Sequence, residues 1–324
     1  MDFANVRRYT PAVTNRRSLV RLAEPVLARV RPWTRWIRRP LRWLYHRRST
    51  LRHDVEPSFS LRVLLALHDA LVGELPPEFT VHDGRLRFRS ERSEMALHGY
   101  YVGEVEYHVG QFILSRLGPG FAMVDVGAHH GIHTLVTAYE LRDRLLGGAI
   151  HAFEPDPRNR ALLEENVRLN SLEALVKIHA EAVSDAIGTA ELLLAGEESS
   201  GSTLRENEAF AVSKRWTMGT QAVPMTTLDA LLPSLPPVSL LKIDVQGSEA
   251  RVLAGAEKLL ARDRPVIVVE AVPGWPGTPK VERHLAAHGY RVLGLDRSGR
   301  PVPRDSRSAF VSWDWVALPQ ELPG

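Results

Sequence analysis

Four carboxylates stand where short apolar runs end. Asp125 lies in the run 121–126, Glu154 follows 149–153, Asp244 follows 239–243, and Glu270 lies near the end of 265–271. Runs of this length, bounded by Gly, Pro or polar residues, have the pattern of buried strands. An ionised carboxylate only accepts hydrogen bonds. It can hold ribose hydroxyls, face a cation, or take a proton from a reacting hydroxyl. Between the first two acids the chain reads Asp125-Val126-Gly127-Ala128-His129-His130-Gly131, and Ile132, Leu135, Val136 and Tyr139 then recur at helical spacing. Strand, glycine loop and helix in that order offer a ligand free N–H groups and the positive end of a helix dipole. Glycine lets the backbone approach that ligand closely.

Two ligand classes suit such a loop. A dinucleotide wants G-x-G-x-x-G, with its pyrophosphate on the helix N-terminus. Here the third glycine is missing and Asp125 stands beside the loop. That arrangement suits a ligand with a cationic end, such as the sulfonium and ammonium of S-adenosylmethionine. Glu154 fits the ribose hydroxyls of an adenosine in either case. A dinucleotide-dependent oxidoreductase is the alternative reading. A basic adaptor with a degenerate catalytic domain is another, and the presence of Gly127, Glu154 and Asp244 argues against it.

The later motifs extend the pattern. Asp125-Val126-Gly127-Ala128, Phe153-Glu154-Pro155, Asn166 and Asn170, Thr227-Leu228-Asp229, and Lys242-Ile243-Asp244-Val245-Gln246-Gly247 with Glu249 follow in order, then 265–270. In this order and spacing, over roughly residues 118–295, the chain resembles the FkbM-type methyltransferases. The resemblance implies a Rossmann-like class I methyltransferase domain, S-adenosylmethionine as cofactor, and oxygen as the acceptor atom. The implied substrate is a sugar hydroxyl or a small secondary metabolite. The cofactor contacts then fall on Asp125, Gly127, Ala128, Gly131, Glu154, Ala182 and Asp244, and a lid or substrate loop falls on 199–202. The chain departs from the family at His129, where Asn or a similar residue is usual, and at His130 and His133, where the family has no histidine. It also has Gln246 where Glu is usual.

Methyl transfer needs in-line alignment of the reactants and, for a hydroxyl acceptor, a group to take its proton. Asp244 is the candidate general base. Lys242, two residues earlier and so on the same sheet face, could lower a hydroxyl's pKa or pair with Asp244. Glu270 is the third catalytic candidate. If Asp244 and Glu270 end neighbouring strands, they could instead hold Mg²⁺ against the acceptor hydroxyl; the expected mechanism uses no metal. His129, His130 and His133 lack the H-E-x-x-H spacing and cannot share one helix face. Tyr100, Tyr101 and Glu104 are candidate substrate contacts.

Helices are predicted at 58–73, 104–117, 157–170, 247–262 and 281–288, and a hairpin at 79–88. Further strands are predicted at 175–180, at 189–194 with 221–225, at 290–295, and at 310–317, the last closing the sheet. Strands alternating with helices give an α/β fold with a doubly wound, mostly parallel sheet. Ligands in such sheets bind beyond the C-terminal strand ends, so the four carboxylates should converge on one rim. The divisions are a basic helical arm at 1–57, a helical and hairpin extension at 58–117, and the cofactor-binding domain at 118–324.

Composition narrows the rest. There is no cysteine, which excludes disulfides, thiolate metal sites and cysteine nucleophiles. Residues 1–53 hold fourteen arginines against Asp2 and Glu24, a charge of +12; with +3 for the whole chain, the other 271 residues sum to −9. Trp33, Trp36, Trp43 and Leu44 interleave with those arginines, a composition that suits a solvated tail or one packed on a partner as well as peripheral contact with an anionic membrane. Single-stranded nucleic acid is a weaker alternative partner for the arm, which would make the acceptor an RNA. No run of eighteen apolar residues and no secretory signal is visible, so a cytoplasmic protein, with its arm at the inner membrane surface, is expected.

Overall fold

The computed structural model describes residues 78–82, 84–90, 106–195, 202–204, 217–272, 275–296, 298–305 and 313–322. All of these belong to the unit Pro77–Gly324. The arm at 1–57, the helix expected at 58–73, and Tyr100, Tyr101 and Glu104 lie outside the described residues.

The strands of the centre are β3 (Phe121–Val126), β4 (Gly148–Phe153), β5 (Val176–His179), β10 (Leu240–Ile243), β11 (Val266–Glu270), β12 (Tyr290–Leu295), β13 (Pro301–Val302) and β14 (Asp314–Pro319). They form one eight-stranded sheet in the order β13-β12-β14-β11-β10-β3-β4-β5. From β5 to β11 every pairing is parallel. The inner parallel strands β10 and β11 are nearly all apolar, Lys242 apart, and Leu240–Ile243 and Val266–Val269 are buried throughout, as strands covered on both faces must be. Strand order reverses between β3 and β10, and both strands end on the same side. That is where a crevice opens in such a sheet.

The covering helices are α1 (Tyr107–Ser115), α2 (Ile132–Asp143), α3 (Pro157–Leu169), α4 (Leu228–Leu231), α5 (Glu249–Ala254), α6 (Glu257–Asp263) and α7 (Thr278–Ala287). Val252, Leu253, Leu259, Leu260, Val281 and Leu285 from the last three join Ile243, Ile267 and Val269 of the sheet in one core. Among the described residues no helix is long and apolar enough to cross a membrane.

Two expectations are corrected. The strand expected at 310–317 runs from Asp314 to Pro319 and does not close the sheet. It inserts antiparallel between β11 and β12. Val316, Ala317 and Leu318 are fully buried, and an interior place serves such a run better than an edge. The helix expected over 247–262 is two helices, α5 and α6, broken at Gly255 and Ala256. Ser184 presses against the break: a Cβ on Gly255 would lie 2.0 Å from its carbonyl oxygen.

Two smaller units flank the sheet. β6 (Ala182–Val183), β7 (Gly188–Ala195), β8 (Thr203–Leu204) and β9 (Thr217–Thr226) make a four-stranded sheet in the order β6-β9-β7-β8, with β7 and β9 the expected antiparallel pair. The hairpin of β1 (Glu78–Val81) and β2 (Leu86–Arg89) packs on α3 through two asparagines. The Asn166 Oδ1 and Nδ2 bond the Arg89 amide and carbonyl, and those of Asn170 bond the Arg87 amide and carbonyl. An amide side chain carries one donor group and one acceptor, as a peptide does. The pair, four residues apart on one helix face, therefore satisfies the open edge of β2 as another strand would.

Candidate active site

β3 leads into the glycine loop. Gly127 has φ of +82° and Gly131, which caps α2, has φ of +91°. The amides of Gly127 and Ala128 both donate to the Phe153 carbonyl at 3.0 Å, tying the loop to the end of β4. A Cβ on Gly127 would lie 1.8 Å from the Asp244 carbonyl oxygen. Gly127 is needed chiefly because β10 ends against it, and less for room beside a ligand.

Glu154 follows β4 and is buried. One carboxylate oxygen accepts from the His129 amide at 2.8 Å and the other from the Asp156 amide at 2.9 Å. Burial pushes the carboxyl above its usual range, while His129 and the two amides pull the other way. Asp156 in turn caps α3 and accepts from the Ser202 hydroxyl at 3.0 Å. Next to Ser202, Thr203 donates its hydroxyl to the Gln246 carbonyl at 2.7 Å. Residues 202–204 therefore bridge the two sides of the crevice, beside the place where a lid was expected; 199–201 lie outside the described residues.

A cavity of about 250 Å³ lies beneath this bridge. One wall carries Gly127, His129, Glu154 and Ala182, with apolar patches from Phe153, Val183, Leu192 and Leu204. The facing wall carries Glu106, Asp244, Gln246, Ser248 and Glu270.

The second wall is crowded with acids. β10 ends at Ile243, and Asp244 and Val245 lead to Gln246, in the left-handed region at φ of +54°. The Gln246 Nε2 donates to Asp244 Oδ1 and to Glu270 Oε2, both at 3.0 Å. Glu249 closes the turn: one of its oxygens accepts from the Val245 and Gly247 amides. Burial pushes Glu249 up to about 7. Burial, and then the charges of Asp244 and Glu249, push Glu270 up to about 10. Beneath them lies the buried ammonium of Lys242, 3.6 Å from Asp125 Oδ1 and 3.5 Å from Asp244 Oδ2. Burial disfavours that charge, but Asp125, Asp244 and Glu106 outweigh it and raise the lysine pKa well above its usual value. At the rim, the His133 Nε2 lies 2.5 Å from Glu106 Oε2. Burial alone would raise the Glu106 pKa, but the bond and charge of His133 hold it down to about 2.

The expected site residues therefore divide. Gly127, Glu154, Ala182, Asp244 and Glu270 line the cavity. Asp125, expected at the cofactor, is 1% exposed and turned inward, where it accepts from the Thr134 hydroxyl at 2.7 Å and faces Lys242. It anchors the loop from below, because a carboxylate within an apolar strand needs a donor and a counter-charge. Ala128 and Gly131 shape the loop behind the cavity wall. Lys242 is a buried counter-ion in place of a group that meets substrate. Glu270, expected as a catalytic acid or base, lines the cavity with its pKa pushed up by burial and by the charges of Asp244 and Glu249, which favours the neutral, hydrogen-bond-donating form. The amide of Gln246 bridges it to Asp244. The three histidines go three ways. His129 lines the cavity, His133 pairs with Glu106, and His130 is buried with Nδ1 2.9 Å from the Ser90 hydroxyl and Nε2 3.2 Å from Asn159 Oδ1.

The profile of the methyltransferase FkbM domain matches residues 125–292, more than half of the chain. The chain belongs to the FkbM methyltransferase family. The matched stretch runs from the acid beneath the glycine loop through the strands of both cavity walls. Among solved structures, the FkbM methyltransferase of Methylobacillus flagellatus is 13% identical with a TM-score of 0.42, over 91% of this chain and 60% of that one. This chain thus spans less than two thirds of that protein's length. A precorrin-6y methyltransferase of Geobacter metallireducens is 16% identical with a TM-score of 0.35, over 64% of this chain and 85% of that one. An rRNA methylase of Streptococcus thermophilus is 10% identical with a TM-score of 0.34, over 64% of this chain and 91% of that one. No curated protein matches the chain.

Gln246, Glu249, Glu106 and Thr203 were not singled out from the sequence as site residues. Gln246 and Glu249 stood inside the family motif, and their departure from or agreement with it was the available signal. Glu106 and Thr203 reach the cavity from distant segments, which no local pattern reveals.

Proposed function

We propose that this FkbM-family methyltransferase uses S-adenosylmethionine to methylate a hydroxyl of a sugar or small secondary metabolite. The observation that carries the reading is a single cavity with Glu154 on one wall and Asp244 on the other. Each Glu154 oxygen accepts one backbone amide. A carboxylate oxygen has two acceptor sites, so one on each remains for the ribose hydroxyls of the cofactor. Phe153, Val183, Leu192 and Leu204 offer an apolar lining for its adenine. When bound, the cofactor supplies a methyl carbon already activated by a sulfonium leaving group.

The chain's own work is then placement and proton handling. Asp244 takes the proton of the acceptor hydroxyl. Gln246 holds that carboxylate in place, and neutral Glu270 adds a hydrogen-bond donor. Lys242 balances Asp244 and Asp125 from below. Among the described residues no Lys or Arg lines the cavity. An uncharged polyol suits that wall better than a phosphate-bearing acceptor does.

Calorimetry of the full chain with S-adenosylhomocysteine and with NAD tests the cofactor, and transfer of labelled methyl to a panel of sugars, phenols and amines tests the acceptor atom. Binding of S-adenosylhomocysteine alone and label on oxygen are expected. Tighter binding of NAD would overturn the cofactor assignment, and label on nitrogen would overturn the acceptor.

A further inference from the structure

A second group of chemically capable side chains lies outside the cavity. His284 stands in the last turn of α7 and His288 caps that helix, four residues on and so on the same face. Glu257 opens α6. One ligand atom from each of these three residues lies within 4.8 Å of the others, and the two imidazole rings stack with centroids 4.5 Å apart. None of the three lines the cavity.

The hydrogen bonds of the two rings fix which nitrogen is available. The His288 Nδ1 lies 2.9 Å from the His284 carbonyl, to which it donates. His284 donates to the Leu253 carbonyl, and its Nε2 is buried without a hydrogen-bond partner among the described residues. The bond to Leu253 must therefore come from Nδ1. Each ring has Nδ1–H committed to a backbone carbonyl, which leaves an Nε2 lone pair. That is the second-shell arrangement that orients a metal-binding imidazole and sets its tautomer.

We infer that Glu257, His284 and His288 form a binding site for a divalent transition-metal ion of the zinc class. Two imidazole nitrogens and one carboxylate oxygen suit Zn²⁺, Co²⁺ or Ni²⁺ better than Mg²⁺ or Ca²⁺, which prefer all-oxygen shells. Three protein ligands leave coordination open to solvent. The ion gives the buried Nε2 the partner that the protein does not supply. It also joins the start of α6 to the end of α7, so it acts on stability and not on methyl transfer.

The test uses full-length protein stripped with chelator, with Zn²⁺ and Co²⁺ as probes and Mg²⁺ as control. The chain has thirteen histidines, so variants must locate the site. Zn²⁺ should raise Tm, Co²⁺ should give a d–d absorption that Zn²⁺ displaces, and Mg²⁺ should do neither. His288→Gln and Glu257→Gln should each weaken Zn²⁺ by roughly tenfold or more. His284→Asn removes the Nε2 lone pair but keeps an N–H donor for the Leu253 carbonyl. It should abolish the Zn²⁺ shift while the metal-free Tm stays close to that of the parent, a result that loss of a structural contact would not give. No Zn²⁺ shift in the parent, or an equal shift in all three variants, would overturn the site. Metal-free His284→Asn that melts well below the parent would assign His284 to a structural role instead.

Discussion

The wall that carries Gly127 and Glu154 is held by backbone groups, whereas the wall that carries Asp244 and Glu270 is held by balanced charge. On the first, the Gly127 and Ala128 amides meet the Phe153 carbonyl, and the Glu154 carboxylate is fixed by two further amides. On the second, Asp244 and Glu106 act on the buried Lys242 cation, and Asp244, Glu249 and Glu106 act in turn on Glu270. Their pKa values spread apart, from about 2 at Glu106 to about 10 at Glu270. Acids driven apart in this way can take different roles at one pH. The first wall binds by shape and fixed acceptors. The second can hold some carboxyls neutral as donors and leave another to accept a proton.

If that division is real, variants on the two walls should fail in different ways. The largest effect is expected on the acid wall. Asp244→Asn removes the proton acceptor yet still fills the place beside Gln246 and Lys242. Turnover should fall by about 10²–10⁴, with cofactor affinity within about threefold of the parent. Single-turnover rates and calorimetry on the same sample check both halves. Unchanged turnover would remove Asp244 as the base.

On the other wall the pattern should invert. Glu154→Gln keeps the shape but turns one acceptor oxygen into an N–H donor facing an amide. Charge-assisted bonds are worth about 1.5–3 kcal/mol, so cofactor binding should weaken roughly tenfold or more. The single-turnover rate at saturating cofactor should change far less. Parent-like affinity would remove Glu154 from the binding wall. Gly127→Val is a poorer probe than it first looks. Its Cβ would strike the Asp244 carbonyl, so it reports on folding before it reports on ligand.

The smallest effect is a pH dependence of stability. Burial raises the Glu249 carboxyl to about 7, above the usual carboxylate range. For a carboxyl raised on folding, the native state holds the proton more tightly. Stability is then greatest below the unfolded pKa and falls as pH rises through the folded one. Glu249→Gln keeps an oxygen acceptor for the Val245 and Gly247 amides but cannot ionise. Between pH 6.5 and 8 the parent should lose about 1 kcal/mol more than the variant. Denaturant unfolding at the two pH values measures it, and parallel losses would show that Glu249 is ionised already at the lower pH.

The sequence by itself determined the local pieces: the glycine loop after β3, the acid after β4, the apolar parallel strands and the family. Each is written in adjacent residues, because strand burial and tight turns depend on runs and spacings along the chain. It also placed Asp244 and Glu270 at strand ends on one rim, since parallel strands align their C-termini; the structure made those two strands neighbours. Only the tertiary structure decided what each acid does. Asp125 and Asp244 read alike as strand-end carboxylates, yet one is buried against Thr134 and Lys242 and the other faces the cavity. Burial and the sum of nearby charges set protonation, and both come from segments far apart in the chain, as Glu106 and Asp314 show in their effect on Glu270. The break at Gly255 and the inserted β14 have the same origin. A helix period and an apolar run are local, but the Ser184 carbonyl that stops the helix and the open side of β11 that takes the strand are supplied by the rest of the fold.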